Sequence, residues 1–169
     1  LLRPHFVAYN DQRRIVETAP CKRAGGRKMD KQRFLKYIDH FNNKRYEDVM
    51  AYYDPGVLIE YPTMLANPKA PPVTRRGRDG FLEQYVNLHQ HCREALEVGA
   101  FLLDGNMMAA EMYTEFHFFK DYPNFSGRDM KAGDIHITTN WCIYTIENDK
   151  FKHIRVAHFR LHDAKTARL

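Results

Sequence analysis

Between Cys92 and Asp163 the chain offers almost nothing but β-strand. Four long runs follow one another: REALEVGAFLLD, NMMAAEMYTEFHFFK, DIHITTNWCIYTI and KFKHIRVAHFRLHD. They carry β-branched and aromatic residues at strand spacing. Asp104-Gly105-Asn106 joins the first two runs and Glu147-Asn148-Asp149 the last two. Helical patterns come before these runs and not between them. Four antiparallel strands after a helical layer predict an α+β fold, one sheet face packing on the helices. Polar residues interrupt the apolar runs at even spacing. Glu115 and His117 share a strand face, as do His136, Thr138 and Asn140, and likewise His158 and Arg160. A curved sheet that turned these inward would line a pocket with acid–base groups.

The segment ahead of the strands reads as helix, helix, short strand, loop, helix. Phe34, Ile38 and Phe41, then Tyr46, Val49, Met50 and Tyr53, recur at helical spacing. Asp30 is placed to cap the first helix. Asp54-Pro55-Gly56 is read as the stop of the second, and residues 57–61 as a short strand ended by Pro62. Residues 63–78 read as a long proline-bearing loop of the kind that rims a pocket. Asp79 is expected to cap the third helix.

Charge locates a boundary. Residues 1–28 hold seven basic and two acidic residues, which accounts for the whole net charge of +5. The remainder is balanced, so the globular part has no field to attract phosphates and nucleic acid is not expected as a partner. We therefore divide the chain into a basic extension, 1–28, and an α+β domain, 29–169. No apolar run is long enough to cross a membrane. Cys21, Cys92 and Cys142 show no metal or disulfide spacing, which fits a reducing, cytoplasmic setting. His89 and His91 lie two apart without a third ligand, so no metal is expected.

Residues 34–163 resemble the nuclear transport factor 2-like superfamily in their element order. NNKRYEDVMAYYDPGVLIEYP is similar to its opening, GRDGFLEQYVNL to its third-helix start and ENDKFKHIRVAHF to its final hairpin. The resemblance implies a cone: three N-terminal helices packed on a curved, mostly antiparallel sheet. The superfamily includes SnoaL-like polyketide cyclases, ketosteroid isomerase, scytalone dehydratase, epoxide hydrolases and non-catalytic binding modules. Against the scytalone dehydratase pattern, Tyr61 falls at a water-positioning tyrosine, His117 at a catalytic histidine and Asn140 at a substrate-binding asparagine. The pattern's first-helix tyrosine and aspartate are Phe41 and Asn42 here, and its second histidine falls near Glu94 or Ala95. Against ketosteroid isomerase, Tyr37 matches an oxyanion-hole tyrosine, whereas the base position is Tyr61 and the buried acid position is Trp141.

The expectation is an acid–base enzyme without cofactors: a cyclase, isomerase or dehydratase acting on a hydrophobic, carbonyl-bearing secondary metabolite such as a polyketide or meroterpenoid. His117, helped by Glu115 or His136, would remove a proton beside a carbonyl. Tyr61 and Asn140 would hold the enolate oxygen. His158, Tyr37 and Arg160 would complete the substrate wall. A homodimer through the outer sheet face is expected. The alternative is a ligand-binding or dimerising module of the same fold, favoured if His117 and His136 lie outside an apolar pocket.

Overall fold

The computed structural model describes residues 28–61 and 72–169. The expectations for the basic extension and for most of the proline-bearing loop fall outside the described residues. Two helices open the fold, α1 (Lys31–Asn42) and α2 (Tyr46–Met50), followed by β1 (Tyr53–Tyr61), β2 (Val73–Arg76) and α3 (Arg78–Leu88). Then come β3 (Cys92–Asp104), β4 (Met107–Phe118), the short β5 (Tyr122–Phe125) and β6 (Arg128–Met130), β7 (Ile135–Glu147) and β8 (Lys150–His162).

The Asp30 side chain caps α1, accepting from the Arg33 N–H at 2.7 Å. Phe34, Tyr37, Ile38 and Phe41 then form the buried stripe of that helix. α3 begins one residue before the expected Asp79 cap. Gly77 stands at its N-cap at φ 79° and donates its N–H to the Val57 carbonyl at 2.9 Å. Only glycine holds that left-handed conformation freely. Asp54-Pro55-Gly56 does not stop a helix; it lies within β1, where the pairing with β8 slips between Tyr53 and Leu58.

Six strands form one sheet in the order β2-β1-β8-β7-β4-β3. Only β1 and β8 run parallel; the other neighbours are antiparallel. The inner face carries Met108, Ala110 and Met112 of β4, Cys142 and Tyr144 of β7 and Ile154 of β8, packed with the α1 stripe in one core. β5 and β6 form a separate hairpin. Its Tyr122 and Phe125 pack with Leu88, Cys92, Phe118 and Met130 in a second cluster at the end of the sheet. The gap between the two clusters is where polar residues face inward.

Candidate functional site

The concave face of the sheet, α1, α3 and the β5–β6 hairpin enclose a cavity of about 530 Å³, within the range of small-ligand sites. Tyr37, Tyr61, His136, Asn140 and His158 all line it. His117, Glu115 and Arg160 do not.

The reason lies in strand parity. On β4, Met112 and Thr114 face inward, so Glu115 and His117 project from the opposite face. Glu115 is nevertheless fully buried. It accepts from Tyr113 Oη at 2.8 Å, His117 Nε2 at 2.6 Å and the Arg168 N–H at 2.6 Å. Burial alone would raise its pKa; these donors outweigh it and hold the carboxyl below its ordinary value. The pair is a satisfied structural knot under the C-terminal segment, not part of the cavity. Arg160 departs for another reason. Asn140 pairs with His158, but Thr139 pairs with Arg160, so Phe159 is an extra residue in β8. This bulge breaks the alternation and puts Arg160 beside Thr139 on the outer face. Trp141 is 54% exposed there, stacked on Phe159 with ring centroids 4.7 Å apart.

His158 Nδ1 lies 2.7 Å from Asn140 Oδ1. A carbonyl oxygen only accepts, so Nδ1 carries the proton. Burial lowers the His158 pKa and keeps the ring neutral, leaving Nε2 a bare acceptor. That atom is buried and has no hydrogen-bond partner among the described residues. The Asn140 amide is fixed in turn by Thr138 Oγ1 at 3.1 Å, with Thr114 Oγ1 beyond at 3.5 Å.

His136 is set the opposite way. An Arg128 guanidinium N–H donates to its Nδ1 at 2.9 Å. Arginine cannot accept, so the proton of the neutral ring sits on Nε2. Burial, then the Arg128 charge and the repulsion from His158 when that ring is protonated, push its pKa down to about 4. The cavity lining thus holds both a bare imidazole nitrogen and an imidazole N–H donor.

Tyrosines of α1, β1 and α3 line the cavity as well. Tyr37 and Tyr53 share a hydrogen bond at 2.6 Å. Tyr61 interacts with Tyr85 and stacks on the His158 ring at 6.4 Å. Burial raises the pKa of both Tyr37 and Tyr61, so both keep their protons and can donate.

Sequence reasoning missed Glu94, whose carboxyl lines the cavity at 5% exposure. Its Oε2 is 2.9 Å from His89 Nε2. Burial raises the Glu94 pKa, opposed by His89 and Lys44. The signal was available: Glu94, Leu96 and Val98 share one face of β3, and each pairs with an inward residue of β4. His89, considered only as a metal ligand, is the buried partner of this acid.

No protein-family model matches the sequence, and no curated protein matches it. Solved structures do. An NTF2-like protein of unknown function from Burkholderia pseudomallei K96243 superposes with a TM-score of 0.55 at 15% identity, over 79% of this chain and 90% of that one. A provisionally assigned polyketide cyclase from Xanthomonas campestris pv. campestris gives 0.59 at 12%, over 75% and 87%. An LEH-like epoxide hydrolase from M. tuberculosis gives 0.54 at 8%, over 76% and 80%. Likeness at such identities shows the fold: this is the nuclear transport factor 2-like α+β cone.

Proposed function

We propose that the protein is an enzyme that removes and returns a proton on a hydrophobic, carbonyl-bearing small molecule, using its own side chains and no cofactor. The reaction is a cyclisation, an isomerisation or a loss of water, and a polyketide-like secondary metabolite is the substrate class. The observation that carries this reading is the buried, unpartnered Nε2 of His158. Leaving such an atom unsatisfied costs about 1–3 kcal/mol, and a proton-bearing ligand would satisfy it. His158 is the general base, oriented by Asn140. The His136 Nε2–H and the Tyr61 hydroxyl hold the oxygen on which charge develops. Tyr37 and the surrounding apolar residues hold the ring system in place. His117 and Glu115 leave this scheme, because they face away from the cavity. Fold likeness to a provisional cyclase and an epoxide hydrolase is compatible with an enzyme but selects no reaction. We further propose that the protein pairs with a second copy through the outer sheet face.

The test is deuterium wash-in from D₂O into a panel of bicyclic ketones headed by 2-tetralone, followed by NMR. The wild-type protein accelerates exchange over buffer. His158→Gln loses roughly 10²–10⁴ of that acceleration, while His117→Ala keeps it. Full activity in His158→Gln overturns the assignment.

A further inference from the structure

Glu94 has a connection that the base and oxyanion donors lack. Behind the cavity wall its Oε2 meets His89 Nε2 at 2.9 Å, and His89 Nδ1 meets the Tyr46 hydroxyl at 2.8 Å. Glu94 and His89 are 5% and 6% exposed. Tyr46, the first residue of α2, is only half-buried. The three groups form a hydrogen-bonded chain from the cavity towards solvent. His89 is further fixed by its ring stack on Tyr46, 5.9 Å between centroids. A leucine would fill the Glu94 position without the desolvation penalty of a buried carboxyl.

We infer that Glu94 is a second catalytic group of this site, a general acid reloaded from solvent through His89 and Tyr46. This rests on the acid–base reading above and adds the group that supplies the proton. The oxygen not bound by His89, Oε1, is the one a ligand can reach. In the transfer, the Oε1–H bond breaks and an O–H bond forms on a substrate carbonyl or departing hydroxyl. The carboxylate left behind keeps its bond from His89 Nε2–H. Reloading runs the other way: Tyr46 passes its proton to His89 Nδ1 as it takes one from water, and Nε2 gives its proton to the carboxylate. A half-turn of the carboxyl, whose terminal torsion is soft, returns the proton to the cavity side. The tyrosine hydroxyl both donates and accepts, so its link survives each transfer. The reloaded ring carries its proton on Nδ1. Nε2 regains one when Glu94 takes a proton from the cavity and the chain runs in reverse, Glu94 to Nε2 and Nδ1 through Tyr46 to solvent.

The groups facing Glu94 are consistent with a resting proton there. Tyr37, Tyr61 and Tyr85 stand on the cavity side and Cys92 on its own strand. His89, Tyr46 and Lys44 stand behind it. Burial outweighs the opposing effects of His89 and Lys44 and raises the pKa.

The full chain labelled with carboxyl-¹³C glutamate tests this, the Glu94 resonance being identified by its loss in Glu94→Gln. The expected midpoint lies above the ordinary glutamate range and moves in Tyr46→Phe. With 2-tetralone, Glu94→Gln lowers kcat and flattens the alkaline limb of its pH profile. Tyr46→Phe slows exchange, and added imidazole buffer restores it. An ordinary or depressed midpoint overturns the proposal, as does a midpoint indifferent to Tyr46→Phe, or wild-type kcat in Glu94→Gln. If the wild-type protein exchanges none of the ketones, the parent reading fails while the NMR titration still decides the state of Glu94.

Discussion

Two histidines lining one cavity do different work because their second nitrogens have different partners. Asn140 accepts from His158 and leaves it a base; Arg128 donates to His136 and makes it a donor. The carboxamide raises the basicity of His158 less than a carboxylate would, and burial lowers it further. The acid limb of the activity profile is therefore expected below the ordinary histidine value, activity rising with pH as the ring loses its proton. His136→Phe should cost roughly 10²–10³ in turnover, as loss of an oxyanion donor does. Arg128→Met should cost less and raise the His136 midpoint from about 4 towards, but not to, its ordinary value. Imidazole ¹⁵N NMR checks both, and a wild-type His136 protonated on Nδ1 at neutral pH would refute the assignment. Which residues could carry protons was legible in the sequence; which nitrogen carries the proton was not. Those partners lie eight and eighteen positions away: the sheet register brings Asn140 to His158, and the separate β5–β6 hairpin brings Arg128 to His136.

At the scale of elements, alternation along β4 and β7 was readable, but the choice of inward face was not. Met112-Thr114 and Glu115-His117 each make a plausible wall, and only packing on α1 decides between them. The apolar parity of KFKHIRVAHFRLHD changes between Val156 and Ala157, a trace of the bulge, but that change alone does not place the extra residue at Phe159. The hairpin of β5 and β6 is too short for a periodic signal, yet it supplies Arg128. The same register arranges the outer face in stripes. Glu97 and Glu111 lie on β3 and β4, Trp141 and Ile143 on β7, and Arg155 and Arg160 on β8. A two-fold axis through the apolar stripe sets the acidic side of one copy over the basic side of the other. Sedimentation should give a two-chain particle. Trp141→Lys combined with Phe159→Glu should give single chains of unchanged circular dichroism. A wild-type protein that sediments as one chain at tens of micromolar would refute the pairing.

For the whole molecule, the cavity sets the window of stability against pH. The folded His136 pKa lies below that of the unfolded chain, so the unfolded state takes up the proton first. Stability from this group is complete above about 6.5 and is lost as pH falls towards about 4, on the order of 3 kcal/mol in all. His158 acts in the same direction. Glu94 acts in the other: its folded pKa is raised, so its contribution is complete below the ordinary glutamate value and is lost as pH rises through the folded one. The site is thus strained from both sides, as expected where buried ionisable groups are retained for chemistry rather than packing. Glu94→Gln keeps an oxygen to accept from His89 while removing the charge. It should raise the melting temperature by a few degrees at about pH 8 and leave it nearly unchanged at about pH 4, since a change of 1 kcal/mol moves a chain of this length by about 2–4 °C. His136→Phe should flatten the acid side of the same curve. Thermal melts across pH measure both. A Glu94→Gln protein less stable than wild type at alkaline pH would mean that the carboxylate is held there by its partners, and that burial does not govern it.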